Sequence, residues 1–107
     1  MKARRIERQT RAREDVRAAL EFYLAEAGTT VAESFLQAID DAFQHVARMP
    51  TAGSSRLGQE VGLPDLRSWR LKRFPYLVFY YDKGDSIVVW RVLHMQRDLP
   101  KTLSELG

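Results

Sequence analysis

The spacing of apolar residues predicts two helices in the first half of the chain. A first set recurs at the spacing of one helical face and comprises Val16, Ala19, Leu20, Tyr23, Leu24 and Ala27. A second set with the same spacing comprises Ala32, Phe35, Leu36, Ile39, Phe43 and Val46. Because only Gly28-Thr29-Thr30 separates the two patterns, we expect the helices to pack antiparallel as a hairpin.

Residues at the ends of these patterns predict where each helix starts and stops. Thr10 is suited to be the N-cap of the first helix, and Gly28 to be its left-handed stop. Thr30 and Glu33 have the spacing of a capping box for the second helix. Pro50 then ends the second helix, because proline lacks the backbone donor that a helix needs.

The second half of the chain reads as strands after a long loop. Residues 51–65 are rich in Gly, Ser and Pro and predict the loop. The residues that follow predict strands over 66–71, 76–81 and 87–93. Residues 3–9 read as a weak edge strand with poor alternation, and residues 99–106 as a short last helix. The order β-α-α-β-β-β indicates an α+β domain, with an N-terminal helical hairpin on one face of an antiparallel sheet.

Length and composition restrict the kind of protein. With 107 residues and 45% hydrophobic content, residues 1–107 are expected to form a single globular domain. There is no cysteine, so no disulfide framework or cysteine-based metal site is expected. We see no signal peptide and no apolar run long enough for a bilayer, so a cytoplasmic protein without membrane contact is the default. No residue cluster predicts a metal or a cofactor.

Charge is unevenly distributed along the chain. The segment from Glu14 to Arg48 contains seven acidic and two basic residues and has a net charge of −5. Since the whole chain has a net charge of +3, the remaining residues carry +8. The stretch from Leu66 to Phe74 holds four bases and no acid: Arg67, Arg70, Lys72 and Arg73. Alternation places Arg70 and Lys72 on one face, opposite Trp69 and Leu71, and predicts that these two bases are exposed contacts. Arg67 is instead suited to tie down the preceding loop.

The last predicted strand runs directly into polar residues of chemical interest. Ile87 to Leu93 is apolar apart from Arg91, and His94, Arg97 and Asp98 follow at once. These side chains would bind an anion or move a proton at the end of a rigid sheet. An ion pair between Arg97 and Asp98 would instead order the C-terminal segment, and His94 would then hydrogen-bond within that corner.

Several aromatic and histidine residues lie outside these patterns. Phe22 lies off the main face of the first helix and is either a partner contact or a single exposed aromatic. Trp69 and Trp90 lie on predicted strands and are interpreted as core residues. His45 stands alone on the second helix and is interpreted as a solvated side chain.

The whole arrangement resembles the ParE/RelE toxin superfamily, on the ParE side. The most specific matches are Arg91-Val92-Leu93-His94-x-x-Arg97-Asp98 and the strand entry Phe74-Pro75-Tyr76 with Val78-Phe79-Tyr80. Further matches are Ala12-x-x-Asp15-Val16, Tyr23, Gly28, Ala32, Phe35, Ile39, Pro50-x-x-Gly53 and Leu66-Arg67. The first strand departs from the resemblance, because it is more charged than the family pattern.

The resemblance implies the toxin of a bacterial type II toxin-antitoxin system. Such a toxin inhibits DNA gyrase and hence replication and growth, serves plasmid stabilisation, and is neutralised by a ParD-like antitoxin. Operator DNA is contacted only through the antitoxin. The expected target-binding residues are Arg67, Arg70, Lys72, Arg73, His94 and Arg97. An apolar groove with a charged rim is expected to bind the antitoxin tail. Its expected residues are Phe22, Tyr23, Phe74, Tyr76, Arg70 and Arg91.

Two other functions remain open from the sequence. The superfamily includes RelE-like ribosome-dependent mRNA endonucleases, whose metal-free chemistry needs a proton carrier and cations near the phosphate. The candidates for that chemistry are His94, Arg91, Lys72 and Arg97. Against it, no tyrosine follows Tyr81, whereas such enzymes usually finish with one. A plain nucleic-acid-binding module ranks lower, because the strand aromatics are interpreted as core and no RNA-binding fingerprint appears.

Overall fold

The computed structural model describes residues 3–106, which form four strands and four helices. In chain order they are β1 (Arg5–Arg8), α1 (Thr10–Ala27), α2 (Thr29–Arg48), α3 (Arg56–Glu60), β2 (Arg67–Arg70), β3 (Tyr76–Asp82), β4 (Ser86–His94) and α4 (Leu99–Leu106). The α+β class and the helical hairpin packed on a sheet are as the sequence predicts. The predicted short last helix is also present, as α4.

The four strands form one sheet in the order β1-β4-β3-β2. β2, β3 and β4 are antiparallel neighbours, as expected of consecutive strands joined by short turns. β1 differs from the expectation of a wholly antiparallel sheet, because it pairs parallel to β4, with Arg5 opposite Ser86. The chain reaches β4 from β1 only after both long helices and two other strands, and this crossover permits the parallel direction.

The register between β3 and β4 shifts between Phe79 and Tyr80. The shift is a bulge in which the strict alternation of β4 is broken. As a result Val89 and Val92, three positions apart, both pack into the core beneath the helices. The bulge thereby changes the direction of the side chains between them, and one of these is Arg91.

The main core lies between the helical hairpin and one face of the sheet. Its buried members include Phe35, Ile39 and Phe43 from α2, with Tyr76, Val78, Val89 and Val92 from the sheet. α1 contributes only Ala12 and Ala19 as buried residues. Part of the predicted apolar faces is wrong, because Leu24 and Leu36 are 47% and 42% exposed. Residues 24–30 are exposed throughout, so the connecting end of the hairpin extends beyond the sheet.

The opposite face of the sheet is also covered, but by shorter segments. Leu66, Leu77, Phe79 and Leu93 form a second buried cluster, and Leu57 of α3 and Trp90 pack against it. The expected featureless loop over 51–65 is therefore wrong in part, because it contains α3. Gly58 allows this packing, since a Cβ there would lie 2.4 Å from the carbonyl oxygens of both Leu63 and Leu66.

Backbone geometry at the helix ends departs from the predicted caps. α1 begins at Thr10 itself with Gln9 as its N-cap, and α2 begins at Thr29 with Gly28 as its N-cap. Neither end has a side-chain cap hydrogen bond, so the Thr10 cap and the Thr30–Glu33 capping box are wrong. Gly28 does have φ +90°, which explains why glycine connects the two helices.

Candidate partner-binding surface at one end of the sheet

Most of the predicted site residues lie at the same end of the sheet. β2 ends there with Arg70, β3 begins there with Tyr76, and β4 ends there with His94 opposite Tyr76. The connection between β2 and β3 carries Lys72, Arg73 and Phe74 at this end as well. The fold therefore brings together residues that the sequence separates by more than twenty positions.

An aromatic cluster forms the centre of this surface. The Tyr23 ring lies 5.2 Å from both Phe35 and Phe74, and Phe35 lies 5.4 Å from Tyr76, mostly in edge-to-face arrangements. Phe22 adds its ring 5.4 Å from Tyr23 and remains 46% exposed. Burial raises the pKa of the Tyr23 hydroxyl above its ordinary value. The four aromatic residues predicted for the antitoxin groove are therefore contiguous, with Phe22 as their exposed edge.

A polar corner follows β4 directly beside the aromatic cluster. The ring nitrogen Nδ1 of His94 accepts hydrogen bonds from the backbone N–H groups of Gln96 and Arg97, at 3.2 and 3.1 Å. The guanidinium of Arg97 lies 3.1 Å from Asp98 Oδ1 and 5.9 Å above the Phe22 ring. His94 and Arg97 thus shape the corner, and Arg97 links it to the exposed aromatic residue.

The titration of Asp98 reflects these neighbours. Burial raises the pKa of its carboxyl, but hydrogen bonds from Arg97 and from the backbone N–H of His94 outweigh burial and hold it below the ordinary value of 3.8. The hydrogen bond to Asp98 likewise raises the pKa of Arg97. The corner is therefore held by an ionised pair at neutral pH.

Arg91 is not a rim charge, which corrects the expectation from the sequence. Its side chain is 11% exposed and forms a bidentate pair with Asp15 of α1, with Nε–Oδ2 at 2.7 Å and Nη2–Oδ1 at 3.0 Å. Asp15 also accepts the backbone N–H of Val92 at 3.0 Å. The hydrogen bond to Asp15 raises the pKa of Arg91. This pair fastens α1 to β4, and the bulge in β4 lies beside it.

Arg67 also makes its contacts within the protein. Its Nη1 donates to the carbonyl oxygens of Gly53 and Thr51, at 2.8 and 3.3 Å, so the predicted tie to the preceding loop is confirmed. The same loop is held by Tyr80, whose hydroxyl accepts from the Gly53 N–H and donates to the Pro50 carbonyl, both at 2.8 Å. A Cβ at Gly53 would lie 2.5 Å from that hydroxyl, which explains the glycine.

A groove with a cationic wall runs between α2 and the β2–β3 connection, and its volume is about 340 Å³. We call it the α2 groove; it is lined by Ser34, Gln37, Ala38, Asp41, Ala42, His45, Trp69, Arg70, Lys72, Arg73 and Phe74. Arg70, Lys72 and Arg73 are exposed, and within residues 3–106 no carboxylate lies at salt-bridge distance from them. Among the described residues, the Arg70 guanidinium donates a hydrogen bond to Met95 Sδ, at 3.3 Å.

Arg73 has a strained backbone within this groove. Its φ of +67° lies in the left-handed region, where a side chain with a Cβ costs about 1 kcal/mol or more. No other residue apart from glycine has a positive φ in the part of the chain described here. The strain turns the connection so that Lys72 and Arg73 border the groove.

Sequence reasoning missed the helical wall of this groove. Trp69 is half-buried and not fully core, and His45 is stacked on it with ring centroids 4.3 Å apart and planes 23° apart. The interpretation of His45 as a lone solvated residue is therefore wrong. Gln37, Asp41 and His45 recur at helical spacing beside the main apolar stripe of α2, and this polar stripe is the signal that could have revealed the wall.

The described residues show no group of three or more His, Asp or Glu side chains that could hold a metal ion. No helix among residues 3–106 is both long and apolar enough to cross a bilayer.

Comparisons with known proteins identify the class to which this fold and surface belong. A family model described as the ParE toxin of the type II toxin-antitoxin system, parDE, matches residues 6–99. Since the match covers well over half of the chain, the chain belongs to the ParE toxin family. The resemblance inferred from the sequence is thereby confirmed.

Solved structures agree with the family assignment at the level of the fold. A chain from the chromosomal ParDE toxin-antitoxin system of P. aeruginosa matches with a TM-score of 0.73 and 20% sequence identity. The match covers 88% of the present chain and 98% of the other. No curated protein sequence matches at a significant level.

Proposed function

We propose that this ParE-family toxin inhibits DNA gyrase, and hence replication and growth, and that a ParD-like antitoxin neutralises it. The observation that carries the proposal is the family match over residues 6–99, because this range includes every proposed target-binding residue. The proposed target contacts are the exposed cations Arg70, Lys72, Arg73 and Arg97. Arg67 and His94 support the same surface from within. The proposed setting is the cytoplasm, with operator DNA contacted through the antitoxin and with plasmid stabilisation as one outcome.

Ribonuclease chemistry is the weaker candidate because its groups are already engaged. His94 Nδ1 accepts two backbone N–H groups, so this nitrogen is not available as a base for an RNA hydroxyl. Arg91 is paired with Asp15, and Arg97 is paired with Asp98. Arg91, one of the cations that would stabilise charge on a phosphate, is therefore buried and committed within the protein, whereas Arg97 stays exposed in a surface pair.

A supercoiling assay with purified DNA gyrase tests the proposed target. We expect lost supercoiling or trapped cleaved plasmid, with intact mRNA in a parallel translation reaction containing ribosomes. Arg97→Ala should weaken inhibition about tenfold, the effect of losing roughly 1.4 kcal/mol of binding. Arg13→Ala is the matched control, since Arg13 is exposed on α1 away from this surface. Cuts in mRNA with unaffected gyrase would replace the proposal with the ribonuclease function.

The aromatic cluster is the proposed antitoxin site. A disordered tail that folds on binding needs an apolar anchor, and Phe22 offers an exposed ring that is already oriented by Tyr23 and Arg97. The proposed site contains Phe22, Tyr23, Phe74 and Tyr76, with Arg70 at its rim. Arg91 no longer belongs to the rim, because its guanidinium is occupied by Asp15.

Substitution of Phe22 tests the antitoxin site without disturbing the core. Phe22→Ala should weaken binding of the antitoxin by about thirtyfold, the size of a typical interface anchor of roughly 2 kcal/mol. Met49→Ala is the matched control, because Met49 is 56% exposed at the far end of α2. Calorimetry with both variants measures the difference. Equal antitoxin affinity for the two variants would remove Phe22 from the site.

A further inference from the structure

We propose that the α2 groove binds a single strand of nucleic acid, with phosphates on Lys72 and Arg73 and a base against the His45–Trp69 stack. The proposal deepens the proposed function and rests on it in one respect: gyrase acts on DNA, so Lys72 and Arg73 would make their target contact with a DNA strand at gyrase and not with the gyrase protein itself.

The cationic wall is unusual in having no acidic partners. Arg70, Lys72 and Arg73 fall within four positions, all exposed, and no ion pair engages any of them in the described chain. Near this end of the sheet Arg91 is buried in its pair with Asp15, and Arg97 is exposed but paired with Asp98. The wall therefore concentrates three cations that no carboxylate engages within residues 3–106, and such a concentration of charge attracts a polyanion.

The floor of the α2 groove adds an aromatic platform to this charge. Trp69 is half-buried between the core and the groove, and the ring of His45 lies parallel to it at 4.3 Å. Phe74 also lines the groove. Flat aromatic surfaces beside a cationic track are the combination that binds single strands, because bases stack while the backbone follows the positive charge.

The backbone strain at Arg73 is a second, independent observation. A left-handed φ of +67° is unfavourable for arginine, and within residues 3–106 no ion pair of its side chain compensates. Strained residues persist where the surrounding structure holds them, often at binding sites. Here the strain places Arg73 beside Lys72 along the groove, where both can face a chain of phosphates.

An acidic peptide would satisfy the cationic wall but would leave the stack unexplained. Carboxylates pair with Arg and Lys as phosphates do, but they bring no flat ring to the His45–Trp69 surface. Asp41 on the α2 wall also disfavours a densely acidic peptide, whereas an N–H group of a base can donate a hydrogen bond to its carboxylate. We therefore commit to a nucleic-acid strand and make the acidic peptide an outcome of the test.

Direct binding by the full chain tests the groove in the absence of gyrase. The probe is a fluorescein-labelled ten-thymidine oligonucleotide, titrated by anisotropy at several salt concentrations. We expect affinity to fall steeply with salt, by about 0.7 in the log-log slope for each phosphate contact. Lys72→Ala with Arg73→Ala should reduce this slope by about 1.4 and weaken binding about tenfold or more at low salt.

Matched controls distinguish binding in the α2 groove from nonspecific attraction of the oligonucleotide to positive charge. Arg13→Ala with Arg17→Ala removes the same charge from the exposed face of α1, in a helix that tolerates alanine, and should leave the slope unchanged. The protein has two tryptophans, so Trp90→Phe leaves Trp69 as the only indole. Its fluorescence should be quenched by the oligonucleotide and unaffected by a polyglutamate peptide of the same charge.

Three results would overturn the proposal. One is equal affinity of the Lys72/Arg73 double variant and the α1 double variant. Another is a polyglutamate peptide that binds as tightly as the oligonucleotide, which would assign the groove to an acidic peptide. The third is a duplex that binds more tightly than the single strand without quenching Trp69. Because gyrase is not in the reaction, none of these results bears on gyrase inhibition, which the supercoiling assay measures separately.

Discussion

Arg91 and Arg73 have the same side chain but opposite positions in the fold. Arg91 is 11% exposed and bound at two points by Asp15, whereas Arg73 is exposed on a strained turn and has no ion pair with any of residues 3–106. Their difference shows that a count of basic residues overstates the surface available to a partner. Arg67 and Arg97 lie between these extremes, one bound to loop carbonyls and one to a neighbouring carboxylate. The four arginines therefore differ in how strongly each is bound within the protein, and substitution of each one can rank their contributions to stability.

The largest effect is expected from Arg91→Ala. Removing one partner of a buried pair leaves Asp15 without its cation, and such losses destabilise a protein by about 3 kcal/mol or more. Urea unfolding measures the change. Arg91→Met with Asp15→Asn is the control, because it removes both charges and should recover much of the loss. A single variant within about 0.5 kcal/mol of the original protein would show that the pair contributes little to the fold.

Arg67→Ala is expected to have the next largest effect. It removes the hydrogen bonds to the carbonyl oxygens of Gly53 and Thr51 and should lower the free energy of unfolding by about 1.5 kcal/mol. Thermal unfolding measures it, with Arg56→Ala as the control on the exposed start of α3. If Arg67→Ala left stability unchanged but weakened gyrase inhibition, Arg67 would belong with the exposed cations and not with Arg91.

The Arg97–Asp98 pair should contribute less and depend on pH. The folded pKa of Asp98 lies below its ordinary value of 3.8, so the stabilisation is present above that value and is lost as pH falls through the folded pKa. Asp98→Asn should therefore cost about 0.5 kcal/mol at pH 7, a value reduced by solvent exposure, and nothing near pH 2. Unfolding of both proteins across this range measures the difference. A difference that persisted at the acidic end would contradict the assignment.

An effect of similar size but opposite sign is expected at Arg73. Arg73→Gly removes the strain of φ +67° but adds backbone entropy to the unfolded chain, so the net stabilisation should be about 0.5 kcal/mol. Arg73→Ala keeps the strain and should not stabilise. Both variants lose the cation and should bind the oligonucleotide more weakly. A destabilised glycine variant would mean that the side chain of Arg73 supports the fold and resembles Arg91 after all.

Periodicity in the sequence is sufficient to predict the two long helices and the three C-terminal strands, because each pattern is local. The parallel pairing of β1 with β4 was not predictable in this way, because the partner of an edge strand is set by the route of the whole chain. α3 was missed because its five residues lie within a Gly- and Ser-rich stretch whose composition indicates a loop. Gly58 shows instead that glycine there permits close packing of backbone against backbone.

The sequence is sufficient to predict which residues lie near the candidate site, but not which of them are exposed and which are bound within the protein. Phe22, Tyr23, Phe74 and Tyr76 were grouped from the sequence, and the structure brings their rings into one cluster. Arg91 was misjudged because its partner, Asp15, is 76 positions away and has no signature in the local pattern. His45 was misjudged for the same reason, since the ring of Trp69 is brought to it only by folding.

The parallel pairing of β1 with β4 also governs when this protein can complete its fold. Arg5 is opposite Ser86, so the first strand to be synthesised has no place in the sheet until the last strand has left the ribosome. At about 5–20 residues per second, that interval lasts for several seconds. Contacts so distant in sequence also slow folding, because a long loop must close first. A nascent chain that lacks β4 therefore has an incomplete sheet and cannot yet present the surface at the end of β4.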